Sequence, residues 1–424
     1  MSADKKVPDI RFKGFSGEWE KRAFGDCFDN IPNNTLSRAE LNYEHGIARN
    51  IHYGDVLIKF GEILDANDIS LPFITDKNFV YKQKHATLRN GDIVIADAAE
   101  DSTVGKCTEL FNVDKQIILS GLHTIAIRPT VPFASKYLGY YLNSSSYHDQ
   151  LLPLMQGTKV LSISKSALQY TNINFPSKNE EQIKIGNIFQ RLDSLINQHQ
   201  QKHDKLSNIK KSMLEKMFPK QGETVPEIRF KGFSEVWEQS NLARCTDLLT
   251  GNPFNSKEFT AEGIFLVRGM NVKRGYLDTS KEISAYWPSF KGLESYLLKP
   301  EDIVIQMDGA LIGKSYAKIK SSNLPAILVQ RVTRVRCSEV NSEFIYQYIQ
   351  KNFLNYIWGI KTETAVPHLS LHDIKNFSIF LPTKKEQTAI GNYFQKLDTL
   401  IEQHQQQITK LNNIKQACLS KMFI

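Results

Sequence analysis

Cations and side-chain amides carry most of the chemistry this chain can do, and their grouping points to a polyanion. The segment Arg268-Gly269-Met270-Asn271-Val272-Lys273-Arg274-Gly275 puts three cations into one short loop. Phosphate contact needs Lys or Arg, while base edges in the major groove are read best by Arg, Lys, Gln and Asn, which form paired hydrogen bonds. On that basis the candidates in the first half are Arg49, Lys59, Lys106, His123, Gln156, Thr158 and Lys159. In the second half they are Arg268, Asn271, Lys273, Arg274, Lys314, Gln330, Arg331, Arg334, Lys361 and Thr362. Any one of these, taken singly, also fits an ordinary solvated polar residue.

Catalytic patterns are missing from the sequence. There is no nucleophile elbow, P-loop or dinucleotide fingerprint, and Gly309 to Lys314 lacks the P-loop spacing. No HExxH occurs, and the ten histidines form no ligand-spaced cluster. Asp373-Ile374-Lys375 is the nearest approach to a two-metal nuclease motif, yet the first half has Ala167 and Gln169 at the matching positions. It reads as a solvated surface turn. Asn252-Pro253-Phe254 lacks the cofactor loop that a base methyltransferase needs.

The elements that must position the candidates are duplicated. Residues 181–218 return as residues 386–423, with Asp193 matching Asp398, His199 matching His404 and Phe218 matching Phe423. Neither copy contains an internal Pro, and Gln, Lys, Leu and Ile dominate, so each is expected to form one helix about 57 Å long. Ile188, Leu192, Leu195, His199, Lys202, Leu206, Ile209 and Met213 step by four and three, which is a heptad seam. The second copy offers Tyr393, Leu397, Leu400, His404, Gln407, Leu411, Ile414 and Cys418. Two copies in one chain imply an antiparallel pair. The polar layers near the middles either fix register or snorkel out of the seam.

A lead-in, VPDIRFKGFSGEWE at 7–20, returns as VPEIRFKGFSEVWE at 225–238, and reads as an extended arm laid on a surface. The plan is therefore arm, domain and long helix, twice over. The two domains differ in sequence but share a skeleton. A buried strand, a turn and Gly-Lys occur at 88–106 and 298–314, followed by alternating strands at 123–129 and 331–337. Amphipathic helices are expected around Ser135–Leu154 and Ser342–Trp358, and a strand ending in Pro176 or Pro382 precedes each long helix. The fold class is α+β: two α/β domains separated by two long helices pairing as an antiparallel coiled coil, with a pseudo-twofold internal repeat. Boundaries fall at 1–177 for the first domain, 178–220 for the first helix, 221–383 for the second domain and 384–424 for the second helix.

Length and composition agree with this plan. A chain of 424 residues suggests about three domains, and 41% hydrophobic content is enough for ordinary cores. No apolar run is long enough to span a bilayer, and MSADKK is not followed by a leader-like apolar stretch. Five scattered cysteines fit a reduced, cytoplasmic setting and no structural zinc. The formal charge of +8 favours an acidic partner, but weakly.

IRFKGF-x-x-x-WE opening both halves, the helices with N-x-F-Q-x-LD-x-LI-x-QHQ followed by L-x-N-I-K, and the duplicated plan over essentially the whole chain resemble the specificity subunit of a type I restriction-modification system. The resemblance implies two target-recognition domains, each binding one half of a split site on double-stranded DNA. It also implies a paired-helix spacer that docks two modification (methyltransferase) subunits, with two restriction (translocase-nuclease) subunits joining in some systems. The subunit itself would be non-catalytic and hold no cofactor. S-adenosylmethionine would belong to the methyltransferase, and ATP and magnesium to the restriction partner. The base-reading residues do not carry over by motif, so the candidates above rest on residue chemistry alone. A coiled-coil adaptor whose two domains bind other proteins is the alternative from a different class.

Overall fold

The computed structural model describes residues 6–220, 222–309, 311–360 and 368–424. The chain divides into two compact units. One runs to Gln200 and adds Gln406–Ile424, while the other is Gln201–Gln405. Each long helix, Asn179–Lys216 and Lys384–Lys421, is continuous and contributes one half to each unit.

In the first unit a five-stranded sheet runs Phe28–Ile31, Thr124–Pro129, Ile93–Ala96, Cys107–Phe111, Ile63–Asp65. It is antiparallel except for the last, parallel pair. A four-stranded sheet (Ile117–Ser120, Ala48–Ile51, Phe73–Ile74, Leu41–Asn42) supplies further residues to the core formed by Ile51, Val94, Leu110 and Ile118. The second unit repeats the first four strands of the larger sheet as Thr246–Thr250, Val332–Cys337, Ile303–Gln306 and Tyr316–Lys318. Its smaller sheet has only three strands, Tyr286–Trp287, Ile264–Val267 and Ala326–Leu328. Proline ends the last strand of each unit as expected: Asn172–Phe175 precedes Pro176 and Ser378–Leu381 precedes Pro382. Each of these strands pairs antiparallel with the strand that follows the arm, Glu20–Ala23 or Glu238–Asn241.

The amphipathic helix expected around Ser135–Leu154 is broken into Tyr137–Leu142, Ser145–His148 and a short 3-10 turn at Leu152–Leu154. Asn143 and Ser144 favour side-chain-to-backbone bonds over helix, and Pro153 has no N–H to continue one. The counterpart Ser342–Ile360 contains no such run and stays whole.

Long-helix pairing is antiparallel in both units. In the first, Phe189 stacks on Phe423 at 5.6 Å and Asp193 meets Lys415 at 2.7 Å. In the second, Phe394 stacks on Phe218 at 5.9 Å and Asp398 meets Lys210 at 2.6 Å. In each case the partner number falls as the residue number rises. Of the expected seam, Leu192 and Leu397 are buried, and Ile188, Leu206, Ile209, Tyr393 and Leu411 pack partly against the cores. Leu195, His199, Leu400 and His404 are half-buried. Ile414 departs from the expectation at 39% exposure, while Ile408, outside the heptad stripe, is buried. The densest packing lies at the helix ends, where Phe189, Phe218, Phe394 and Phe423 enter the domain cores.

The arms close these ends. Arg11 makes a two-pronged pair with Glu181 (2.6 and 2.8 Å) at the start of the first long helix. Its neighbour Ile10 donates its N–H to the Lys421 carbonyl (2.9 Å), which ends the second. Arg229 and Glu386 (2.8 and 2.6 Å), with Ile228 N–H to the Lys216 carbonyl (2.9 Å), repeat the arrangement with the helices exchanged. Glu181 and Glu386 are each only 1% exposed. Removing one partner of a buried pair strands the other charge, so Arg11→Ala is expected to cost about 3–5 kcal/mol. A fall in the first unit's thermal midpoint, recovered in part by Arg11→Met with Glu181→Leu, is the measurement that checks this.

Glu109 gives a second prediction. Its buried carboxylate accepts the N–H groups of Lys136 (2.5 Å) and Gly139 (2.9 Å) at the start of the Tyr137–Leu142 helix. Burial outweighs these bonds and pushes its pKa up to about 7. An acid raised on folding keeps its proton where the unfolded chain has lost it. Its contribution to stability therefore falls as pH rises from about 4.5 to about 7 and is level above that. The difference in melting temperature between Glu109→Gln and the parent should favour the variant more at pH 8 than at pH 5.

Candidate nucleic-acid interface

The sequence candidates separate by what their side chains already hold. Arg49 donates to the carbonyls of Asp68 (3.0 Å) and Leu71 (2.8 Å) and lies 4.3 Å from the centre of the Phe73 ring. Lys106 donates to the Leu57 carbonyl (2.8 Å), and burial lowers its pKa. Asn271 is fully buried, with its amide on Asp278 and Ile283 carbonyls. Arg268 ties to the Ile283 carbonyl, and burial lowers its pKa. Arg334 is buried, paired with Asp247 and bonded to the Ser295 carbonyl. These five are tied into the fold, since each side chain already bonds a backbone carbonyl of its own domain. Lys59 is exposed, pairs with Asp55 (3.1 Å) and lies over the Tyr43 ring. It lines a cleft of about 440 Å³ with Glu62, Asp193 and Lys415, on the long-helix side of its unit.

The remaining candidates sit on outer loops. In the first unit Gln156, Thr158, Lys159 and His123 are exposed. The bridge between Gln156 and Ser162 closes a small hairpin, and Leu161–Ser162 pairs with Ala98–Ala99. Ile163 N–H then bonds the Asp97 carbonyl (2.9 Å), and the Asp97 carboxylate lies 3.3 Å from His123 Nδ1. Burial raises the Asp97 pKa, while His123 opposes that rise. The fold thus places His123 beside the Asp97 carboxylate and ties the hairpin that carries Gln156, Thr158 and Lys159 to the Asp97 backbone through Ile163. The sequence reading missed Asp97, along with Tyr53, whose ring lies 5.3 Å from His123.

In the second unit Gln330 and Arg331 form an exposed turn, where Arg331 pairs with Asp308 at 2.9 Å and His368 reaches the other Asp308 oxygen. Neither Asp308 nor His368 was singled out from sequence. Lys273 is half-buried, Arg274 and Lys314 are exposed, and the Arg274 strand segment bridges to Tyr316. Lys361 and Thr362 lie outside the described residues. Asp373 belongs to a short helix, Leu371–Lys375, rather than a turn, and its carboxylate caps that helix through Ser370. Among the described residues no cluster of His, Cys, Asp and Glu could hold a metal, and no helix is long and apolar enough to cross a membrane.

The division between structural and outward cations is open to test. Arg334→Ala and Asn271→Ala should lower the unfolding midpoint, at a cost of about 1–3 kcal/mol each, because each removes a buried side chain together with its bonds to backbone carbonyls. Lys159→Ala, on an exposed hairpin, should leave it within about 0.5 kcal/mol of the parent.

The model of the family described as "Type I restriction modification DNA specificity domain" matches residues 16–208 and 215–413. The type I restriction enzyme EcoAI specificity subunit of Escherichia coli is 30% identical over 172 residues, which is 40% of this chain and 29% of that protein. The MjaVIII specificity subunit of Methanocaldococcus jannaschii is 27% identical over 267 residues, or 58% of this chain and 60% of that protein. The aligned stretch thus spans less than two thirds of either relative's length. A crystal structure of the S subunit of a type I restriction-modification system from M. genitalium covers 99% of both chains at a TM-score of 0.60 and 17% identity, a likeness of fold. With nearly every residue covered by two copies of the family's domain, the chain belongs to the type I restriction-modification DNA specificity family.

Proposed function

We propose that this chain is the DNA-specificity subunit of a type I restriction-modification complex. Each unit reads one half of an asymmetric, bipartite site on double-stranded DNA, and the paired long helices set the unread gap. The observation that carries this is the pairing of a repeated frame with unrepeated outer loops. The arm arginines with their glutamates, the stacked helix-end phenylalanines and both Asp–Lys pairs recur at matching positions. The loops around His123 and Arg331 share no sequence. Two copies of one reader would give a palindrome, whereas two unlike readers on like frames give an asymmetric target.

On this reading the chain is non-catalytic and chooses the site. Two methyltransferase subunits dock on the helices, bring S-adenosylmethionine and flip the target base. In systems with a restriction subunit, ATP and magnesium arrive with it. The assembly works on chromosomal DNA in the cytoplasm.

A protein-binding adaptor is separated from this by salt. DNA recognition predicts that affinity for a mixed-sequence duplex falls steeply between 50 and 200 mM salt, by about 10³ for six phosphate contacts. An adaptor predicts little binding at either. The spacer has its own test. Seven residues inserted at the middle of each long helix keep the heptad phase and add about 10 Å, or about 3 base pairs. The methylated motif should gain that many unread pairs with both half-sites unchanged, and altered half-sites would refute the spacer role.

A further inference from the structure

His123 and Arg331 occupy the same place in their two units. Each ends the turn into the second strand of the larger sheet, Thr124–Pro129 or Val332–Cys337. Each has a left-handed backbone, with φ of 53° and 66°. That region disfavours residues with a Cβ, and glycine would fill it without strain. Two loops with different sequences nevertheless both keep a long polar side chain there. Such strain persists where the surroundings hold it, and it gathers at functional positions.

The surroundings also match. The turn carbonyl accepts an N–H from the end of the neighbouring strand, Asp97 to His123 (3.1 Å) and Met307 to Arg331 (2.9 Å). The following loop closes the far side, with Ile163 N–H on the Asp97 carbonyl (2.9 Å) and Leu369 N–H on the Met307 carbonyl (2.7 Å). A carboxylate on this framework then orients the side chain: Asp97 meets His123 Nδ1 at 3.3 Å, and Asp308 meets Arg331 Nη1 at 2.9 Å with His368 on its other oxygen. Both side chains stay outward, 53% and 71% exposed.

We propose that His123 and Arg331 are corresponding base-reading residues, one for each half-site, each aimed by its own carboxylate, and that Arg331 specifies a guanine. This rests on the DNA-recognition reading above. Asp308 ties one guanidinium nitrogen and leaves two for the paired bonds that guanine O6 and N7 accept in the major groove. An ionised Asp97 can only accept, so Nδ1 carries the proton and Nε2 is the outward atom of His123. Histidine and arginine present different hydrogen-bonding edges, which is what two different half-sites need.

The competing explanation is an ordinary surface ion pair, for which Arg22–Glu20 (2.7 Å) is the internal control. The experiment is selection from a randomised duplex pool by the full-length chain with its methyltransferase partner, each variant first checked for an unchanged circular dichroism spectrum. Arg331→Ala should keep one half-site intact and lose preference at a single guanine of the other, with discrimination there falling about tenfold or more. Arg331→Lys should retain part of it, and Asp308→Asn should weaken the same position. His123→Ala should relax one position in the opposite half-site, and Arg22→Ala should change nothing. If Arg331→Ala and His123→Ala both return the parental motif, these residues do not read bases although the chain does. If the parent itself returns no motif, DNA recognition fails and this inference falls with it.

Discussion

The arginine–glutamate clasp is the constraint on which the rest of the architecture depends. Arg11 and Arg229 each reach a glutamate in the first turn of one long helix, while the residue just before each arginine bonds the last carbonyl of the other. A helix end leaves carbonyls without partners, so the arm satisfies a group that would otherwise need water. Burying a carboxylate that deeply is unfavourable unless it is paired and well bonded, and the planar guanidinium fork meets both oxygens at once. Lysine could not reproduce that geometry. The clasp therefore fixes where one rod begins against where the other ends.

Trp19 and Trp237 follow the same logic one step further along the arm. Each packs edge-on against the phenylalanine two residues past the end of a long helix, Trp19 on Phe423 at 6.5 Å and Trp237 on Phe218 at 6.2 Å. Charge pairing sets the register of the arm, and the indole supplies apolar burial that a thin extended segment otherwise lacks. Gln182 and Gln387 complete the joint. Each accepts an N–H from the domain (Ala134 at 2.9 Å, Asn341 at 3.1 Å) and donates to the proline carbonyl that ends the preceding strand. Strand, arm and both helix ends thus meet at one buried polar junction in each unit.

The parts that sequence made legible are those whose physics is periodic or repeated. The long helices, the arms and the proline-ended strands follow from spacing, because a heptad stripe or a duplicated segment keeps its meaning without knowledge of the fold. The seam was legible only in part: Ile414 obeys the heptad yet is exposed, while Ile408, off the stripe and nearer the middle of the helix, is buried. The candidate interface was less legible still. A sequence records side-chain type and not burial, so Arg334 and Asn271 stand there beside exposed cations and amides although both are buried. Asp97 and Asp308 went unnoticed because only a hydrogen-bonded turn brings each to its partner, more than twenty residues away.

This separation of frame from surface explains how two domains can diverge in their outer loops without losing their fold. Groups that set the frame are buried and doubly bonded, so a change at Glu181, Gln182 or Arg334 unbalances a polar junction. Groups at the outer turns hold only one or two bonds and face solvent, so replacing one changes the presented hydrogen-bonding edge at little cost in stability. The left-handed turn is the exception, since its strain must be held by the frame itself. It is held there by backbone bonds, through the carbonyls of residues 123 and 331, which any side chain would permit. The framework thus dictates where a side chain projects and leaves its identity open, so one scaffold can carry a histidine in one unit and an arginine in the other.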